Sequence, residues 1–287
     1  MKLKYLKSFL LSGLVMVSLA ACGKAEQASA PVESVAEVNV NAEANANAGI
    51  KKDTLPEGYA VQLVYLDEEA GVDPYQVRIV VTREYLRIDD TDEGKSFVLM
   101  DRKAGVVYSA AEANDTVLVL DPKVPEPRPT WSQKLVEKQV PHEDMPKIGG
   151  LKGVRYEYYL GDKSCIGAVV VKDLLPEVSR ALGEYRSILA NQHLASIDTT
   201  PVELQIPCDL AINIYEPNRY VSNGLPIIEW NYSGFRRSLV DYNEAFKVPA
   251  GLFKLPEKYG RFTLDEMRKR AMDAASAPQT TAPQTKQ

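Results

Sequence analysis

The chain has 287 residues, 45% of them hydrophobic and 25% charged, with a formal net charge of −5. An acidic balance of this size argues against nucleic acid or anionic lipid headgroups as partners, because both are held through cationic contacts. The length leaves room for one sizeable core.

Residues 1–21 have the three parts of a secretory signal. Lys2, Lys4 and Lys7 form the charged region, and an apolar run follows from Phe9 through Leu19. That run is too short to span a bilayer core of about 30 Å. It ends in Leu19-Ala20-Ala21-Cys22-Gly23, with small residues before the cut, as the narrow pockets of a signal peptidase require. A cysteine at the cut with leucine three positions before it resembles the bacterial lipobox. The resemblance implies a lipoprotein: a diacylglyceryl group on the Cys22 thiol, cleavage before Cys22, and acylation of the new amine by a chain such as palmitate. The alternative is an ordinary secretory signal whose cysteine is accidental. Each buried methylene contributes about 0.8 kcal/mol, so two or three acyl chains anchor firmly. Gly23 and Lys24 follow, without the aspartate of inner-membrane retention in enteric bacteria. By that sorting rule the expected place is the cell envelope, on the outer membrane facing the periplasm. Loss of residues 1–21 removes three lysines and no acid, which takes the formal charge from −5 to −8.

Residues 22–54 read as a lipidated cysteine followed by a disordered tether, rich in Ala, Asn, Val, Glu and Ser and without aromatic residues. A coil of about 32 residues has a mean reach of about 30 Å. A single antiparallel, β-rich domain is expected over 55–275. Period-2 segments open it at Tyr59–Tyr65, Val77–Val81, Tyr85–Ile88, Phe97–Met100, Gly105–Tyr108 and Thr116–Leu120. Their short spacing suits an antiparallel meander and leaves no room for crossover helices. The Pro-rich piece from Pro122 to Pro129 interrupts the run, and strands resume at Val154–Leu160 and Cys165–Val171.

One long helix is expected from about Asp173 to His193. Leu175, Val178, Leu182, Tyr185 and Leu189 step by three and four along one face, Asp173 can cap the start, and Pro176 suits the first turn. Strand patterns return at Leu210–Tyr215, Leu225–Tyr232 and Phe235–Tyr242, a short amphipathic helix follows from about Leu264 to Met272, and 276–287 reads as a disordered Pro/Thr/Gln-rich tail. The fold class is therefore α+β and mainly β: a large curved antiparallel sheet or half-barrel with one long helix packed on it.

Cys165 and Cys208 read most naturally as one disulfide, worth about 4 kcal/mol in the loop-entropy model. Two free buried thiols are the alternative. Neither cysteine has paired ligands at short spacing, so no metal site is expected. Of the two histidines, His142 lies in a Pro/Glu/Asp loop and His193 at a helix end, where a dipole partner is commoner than a catalyst. The acidic run Asp89-Asp90-Thr91-Asp92-Glu93-Gly94 fails as a calcium loop, because Met100 stands where the bidentate glutamate must be. Were Asp89 and Asp90 to continue a strand, they would point to opposite faces. No nucleophile elbow, phosphate loop or dinucleotide fingerprint is present. The chain reads as no enzyme, without a cofactor.

Fifteen tyrosines stand against six phenylalanines, a balance that suits a surface half wet and half apolar. Tyr156 and Tyr158 on one strand, and Trp230 and Tyr232 sharing a face of another, are the candidate ligand contacts. The competing reading makes them girders of a β core. The succession Tyr85–Asp89, Phe97–Asp101 and Val106–Tyr108, with the lipobox, tether and later helix, resembles the half-barrel carriers of the lipoprotein-sorting type. Phe246-Lys247-Val248-Pro249-Ala250-Gly251 resembles the F-x-x-P-x-G ending of a related uncharacterised family of periplasmic proteins. The resemblance implies a membrane-anchored protein that holds a lipid or other apolar molecule without chemistry. The second class is a tethered module that docks a protein partner through an exposed strand edge or tyrosine-rich patch. An open concave space would favour the first, a filled one the second.

Overall fold

Period-2 alternation builds close to half of the described residues. A computed structural model describes residues 58–90, 96–120, 133–141, 145, 147–197 and 200–276. The signal segment 1–21, Cys22, the 22–54 tether, the Pro122–Pro129 piece, His142 and residues 277–287 lie outside the described residues.

Strands β1 (Tyr59–Glu69), β2 (Val72–Val81), β3 (Tyr85–Asp90), β4 (Phe97–Asp101), β5 (Val106–Ala111) and β6 (Thr116–Leu120) form the expected antiparallel meander. Val61, Leu63 and Tyr65 of β1 stand opposite Val81, Ile79 and Val77 of β2. The same inner face continues through Leu86 and Ile88, Met100 and Val98, Val107 and Leu120. A second group comprises β7 (Val136–Val140), β8 (Lys147–Ile148), β9 (Leu151–Leu160), β10 (Lys163–Val171), β11 (Leu225–Asn231) and β12 (Arg236–Lys247). β12 pairs with β1 and joins the two groups, so the strands form one open, curved sheet.

The sheet is mixed, where a wholly antiparallel one was expected. Strand β13 (Gly260–Thr263) pairs with β6 in parallel. After β12, in mid-sheet, the chain crosses the outer face and packs Phe253, Leu255 and Tyr259 against Phe97, Leu99, Ala110 and Val117. A crossing connection of this kind delivers a parallel strand. Arg87 fixes the crossing: its Nη1 donates to the Leu252 carbonyl at 2.7 Å while its guanidinium lies 3.7 Å from the Phe97 ring centroid. Asp89 accepts from both Arg87 and Arg78. Asp89 and Asp90 do continue a strand, β3, and so turn to opposite faces.

The inner face is covered by α1 (Pro176–Leu194), α2 (Pro207–Leu210) and a π turn over Ala211–Tyr215 that continues α2. A strand was expected at Leu210–Tyr215. Pro207 instead starts a helix, and Ala211, Ile212 and Ile214 bury themselves under α1. Asp173 does not cap α1: Asp173 (φ 63°) and Leu175 (φ 47°) are both left-handed, and the helix starts at Pro176 without a side-chain cap. Val178, Ala181 and Leu182 seat α1 on the core. Cys165 of β10 and Cys208 of α2 are joined by a disulfide, with Cα atoms 5.2 Å apart. A third helix, α3 (Leu264–Ser276), returns Leu264 and Met267 to the core.

Polar contacts align α1 at its first turn and at its middle. Arg102, in the β4–β5 turn, donates to Glu177 and to both Glu184 oxygens. Under the helix, Arg237 of β12 grips Asp67 of β1 through Nε and Nη2 at 2.7 and 2.6 Å. Glu229 of β11 faces Arg237 in the register and accepts from Arg186 of α1 at 2.9 Å. Burial alone would lower Arg237, but Asp67 and Glu229 outweigh it and hold its pKa above the ordinary arginine value. The four charges alternate from β1 through β12 and β11 to α1.

Removing one member leaves a buried charge uncompensated, which costs about 3–5 kcal/mol. Arg237→Met should lower the urea unfolding free energy by that amount, and adding Asp67→Leu should restore most of it.

Candidate functional site

Tyr156 and Tyr158 of β9 lie on the inner face, and neither is available to a ligand at that surface. Both are buried, and Tyr158 is 0% exposed. Their rings stack on each other at 6.4 Å between centroids, and Tyr220 tilts against Tyr158 at 6.3 Å. The Tyr158 hydroxyl accepts from Asn223. Burial, then the nearby Glu137 charge, raises the Tyr158 pKa. Tyr185 of α1 is likewise pushed up to about 12 by burial. The tyrosines thus close the space between sheet and helix.

Trp230 lies on the opposite face. It pairs with Gly167, whereas its neighbour Glu229 pairs with Ala168 and reaches inward to Arg186. The indole rests on Gly167 itself: a Cβ there would stand 2.1 Å from the ring. Glycine in mid-strand costs stability in general, and here its bare Cα is the seat of the indole. Arg155 stacks on Trp230 at 5.1 Å, and Glu157 holds both Arg155 and the Tyr159 hydroxyl. Tyr232 does not share this arrangement. β11 ends at Asn231, and beyond it the Tyr232 hydroxyl donates to Asp209 of α2 at 2.8 Å, with Lys163 over its ring. The four candidate contacts are therefore split among the inner core, the outer face and a strand end. None of the four lines either of the two clefts described below.

His193 sits near the end of α1, where burial lowers its pKa. Among the described residues no group of three or more His, Cys, Asp or Glu is placed to hold a metal ion. None of their helices is long and apolar enough to cross a membrane.

Two open clefts adjoin partners of these aromatic residues without being lined by them: Asn223, which donates to Tyr158, lines one, and Lys163, which lies over Tyr232, lines the other. One, of about 410 Å³, runs between the first turns of α1 and residues 218–224. The other, of about 490 Å³, has walls of Leu160, Gly161, Pro207 and Cys208 and a rim of Gln133, Lys134 and Lys163. The second cleft adjoins an edge that the sequence pattern missed. β7 is the last strand in the sheet order, and β8 continues the same side of β9. Among the described residues no strand pairs with the far side of β7. Val136 on it is 53% exposed, and Val202, Leu204 and Ile206, just before Pro207 of the cleft wall, are exposed too. β7 is anchored from within: Glu216 accepts the Leu135 N–H, and Glu137 meets Arg219 and Asn223. The arrangement presents backbone N–H and C=O groups along one edge; among the described residues no group of three or more His, Cys, Asp or Glu lies with it.

No family model and no curated protein matches the chain. Among solved structures, an uncharacterized conserved protein from Thermus thermophilus aligns over 72% of this chain and 91% of its own, at 7% identity and a TM-score of 0.36. PNGF-II aligns over 75% of this chain and 32% of its own, at 10% identity and TM-score 0.37. MucB aligns over 70% and 59%, at 11% identity and TM-score 0.34, and the MucA/MucB complex of Pseudomonas aeruginosa over 71% and 58%, at 12% and 0.33. This chain thus spans about a third of PNGF-II and under two thirds of MucB. Likeness at this level carries no argument about function.

The Gly167–Trp230 contact gives a sign reversal. Gly167→Ala should displace the indole, redden its emission in a Trp131→Phe background, and cost about 1–3 kcal/mol. In a Trp230→Ala background the same change should stabilise by about 0.5–1 kcal/mol, because the glycine entropy penalty is then all that changes.

Proposed function

We propose that this chain is a lipid-anchored, non-catalytic docking module of the bacterial cell envelope, attached through Cys22 and accepting an extended segment of a partner protein along β7. The observation that carries the reading is the β7 edge, which among the described residues has no strand on its far side, beside an open cleft of about 490 Å³. A strand edge presents unpaired N–H and C=O groups, and adding a strand satisfies them without rearranging the fold. Val136 on the edge and Ile206 next to the cleft wall are exposed and supply apolar area for side chains of the added strand.

Carriage of a lipid in the half-barrel needs space between sheet and helix. Side chains of α1, the π turn, Tyr158 and Tyr220 fill the inner face among the described residues, and neither cleft includes Tyr156, Tyr158, Trp230 or Tyr232. This packing favours docking over carriage. The lipobox supports the anchor and, with Gly23 and Lys24 after the cysteine, the outer membrane facing the periplasm.

A photoreactive benzoylphenylalanine placed at Lys138 on β7 should cross-link one discrete partner in cells, whereas the same group at Lys258 on the outer-face crossing should not. Cross-links from both positions alike, or from neither, would count against the edge. Native mass spectra of the purified protein provide the other arm: an apolar species co-purifying beyond the anchor mass would restore the carrier reading.

A further inference from the structure

We infer that residues 35–41 of the tether are the resident strand at β7, paired with that edge until a partner segment displaces them. The inference rests on the docking reading and names what the partner must compete with. Val35-Ala36-Glu37-Val38-Asn39-Val40-Asn41 holds three of the four valines between Cys22 and Gly58. Valine favours extended backbone. In a strand Ala36, Val38 and Val40 share one face, and Glu37, Asn39 and Asn41 the other. Charge selects no occupant, because carboxylates and cations around the edge nearly balance: Glu137 and Glu216 meet Arg219, and Glu157 meets Arg155. A second copy fits poorly. Opposite residues of an antiparallel pair share a face, so the register that matches Val136 with Val140 sets Lys138 against Lys138. Like charges directly opposite are destabilising.

The tether joins the sheet at the matching end and at a matching distance. Tyr59 opens β1 opposite Lys247, the last residue of β12. From β11 onward the registers place Leu225, Val171, Gly153 and then Val140 of β7 at this same end. Four strands separate β1 from β7, so a strand added to β7 lies six strand spacings from β1. At about 4.8 Å each, that is about 29 Å along the sheet and less across its curve. Val40 precedes Gly58 by 18 residues, a coil with a mean reach of about 23 Å. Reach and span agree, the condition under which a linked segment has its highest effective concentration, on the order of millimolar. A weak pairing then suffices to cover an edge that would otherwise recruit other strands. Pairing also leaves only 13 residues from Cys22 to Val35, which shortens the mean reach from the anchor to about 20 Å. A partner that displaces the segment lets the domain stand farther from the membrane.

The test places benzoylphenylalanine at Lys138 in the purified mature protein, in detergent and without a partner, and maps the products by peptide mass spectrometry. Irradiation should join position 138 to residues 35–41 of the same chain, independently of protein concentration. Val38→Pro with Asn39→Pro should reduce that product at least five-fold, since two adjacent prolines remove the N–H on whichever side faces β7. Neither residue belongs to the described fold, so the domain should keep its unfolding midpoint. In cells the same pair should raise cross-linking to the partner at least three-fold. Cross-links scattered along 23–57, products only between two copies, or a tether product indifferent to the prolines would overturn the inference. Partner cross-links in cells without any tether product would overturn it too and leave the docking reading standing. A tether product with no partner in cells would sustain the pairing and count against the docking reading alone.

Discussion

Four charges, two buried carboxylates and two half-buried arginines, decide what the two faces of this sheet can do. Asp67, Arg237, Glu229 and Arg186 alternate in sign across three strands and into α1. Ion pairs taken out of water stabilise little by themselves, since desolvation offsets most of their attraction, but they penalise every arrangement that separates them. Apolar packing under a helix tolerates sliding; a chain of matched charges does not. With Arg102 clamping Glu177 and Glu184 from the β4–β5 turn, α1 is held in one register on the inner face. The helix therefore completes a core instead of roofing a cavity.

With the inner face closed, the docking proposed for this chain falls to the rim. The meander β1–β6 is backed by the crossing segment with Phe253, Leu255 and Tyr259, and β13 shields β6 with α3 after it. The opposite end has no such cover among the described residues: β7 and β8 lie along β9 and nothing lies along them. The disulfide works at this end as well. It ties β10 to α2 and forms a wall of the cleft beside the edge, a covalent restraint on the surface next to β7 that suits the proposed docking. A preorganised edge loses less freedom on binding.

Much of the architecture is legible in the residues. Tyr59–Leu120 alternates so regularly that each strand and its inner face follow from the pattern, and the three-and-four spacing of Val178, Leu182 and Tyr185 marks α1. Legibility fails where tertiary contacts override local preference. Leu210–Tyr215 alternates like a strand, yet a helix started at Pro207 and pinned by Cys208 winds it into a π turn. Val136-Glu137-Lys138-Gln139-Val140 has three polar residues between two valines, so a strand paired on one side only reads as a loop. The parallel edge at β13 depends on a crossing that no local pattern announces. Asp67, Arg186, Glu229 and Arg237 look like solvated charges until the register brings them together. Tyr156, Tyr158, Trp230 and Tyr232 were legible as a group by residue type, but Gly167 seats Trp230 on the far face and the strand end sends Tyr232 to Asp209.

Hydrogen–deuterium exchange of the α1 amides, residues 176–194, tests most directly whether the helix is core or lid. The account predicts that the central amides, around Ala181 to Arg186, exchange only with global unfolding, with an opening free energy equal to that from denaturant titration. Exchange of these amides through a local opening several kcal/mol below the global value, with the β1 and β12 amides still protected, would show α1 to be a movable lid over a concave binding surface and would contradict the account.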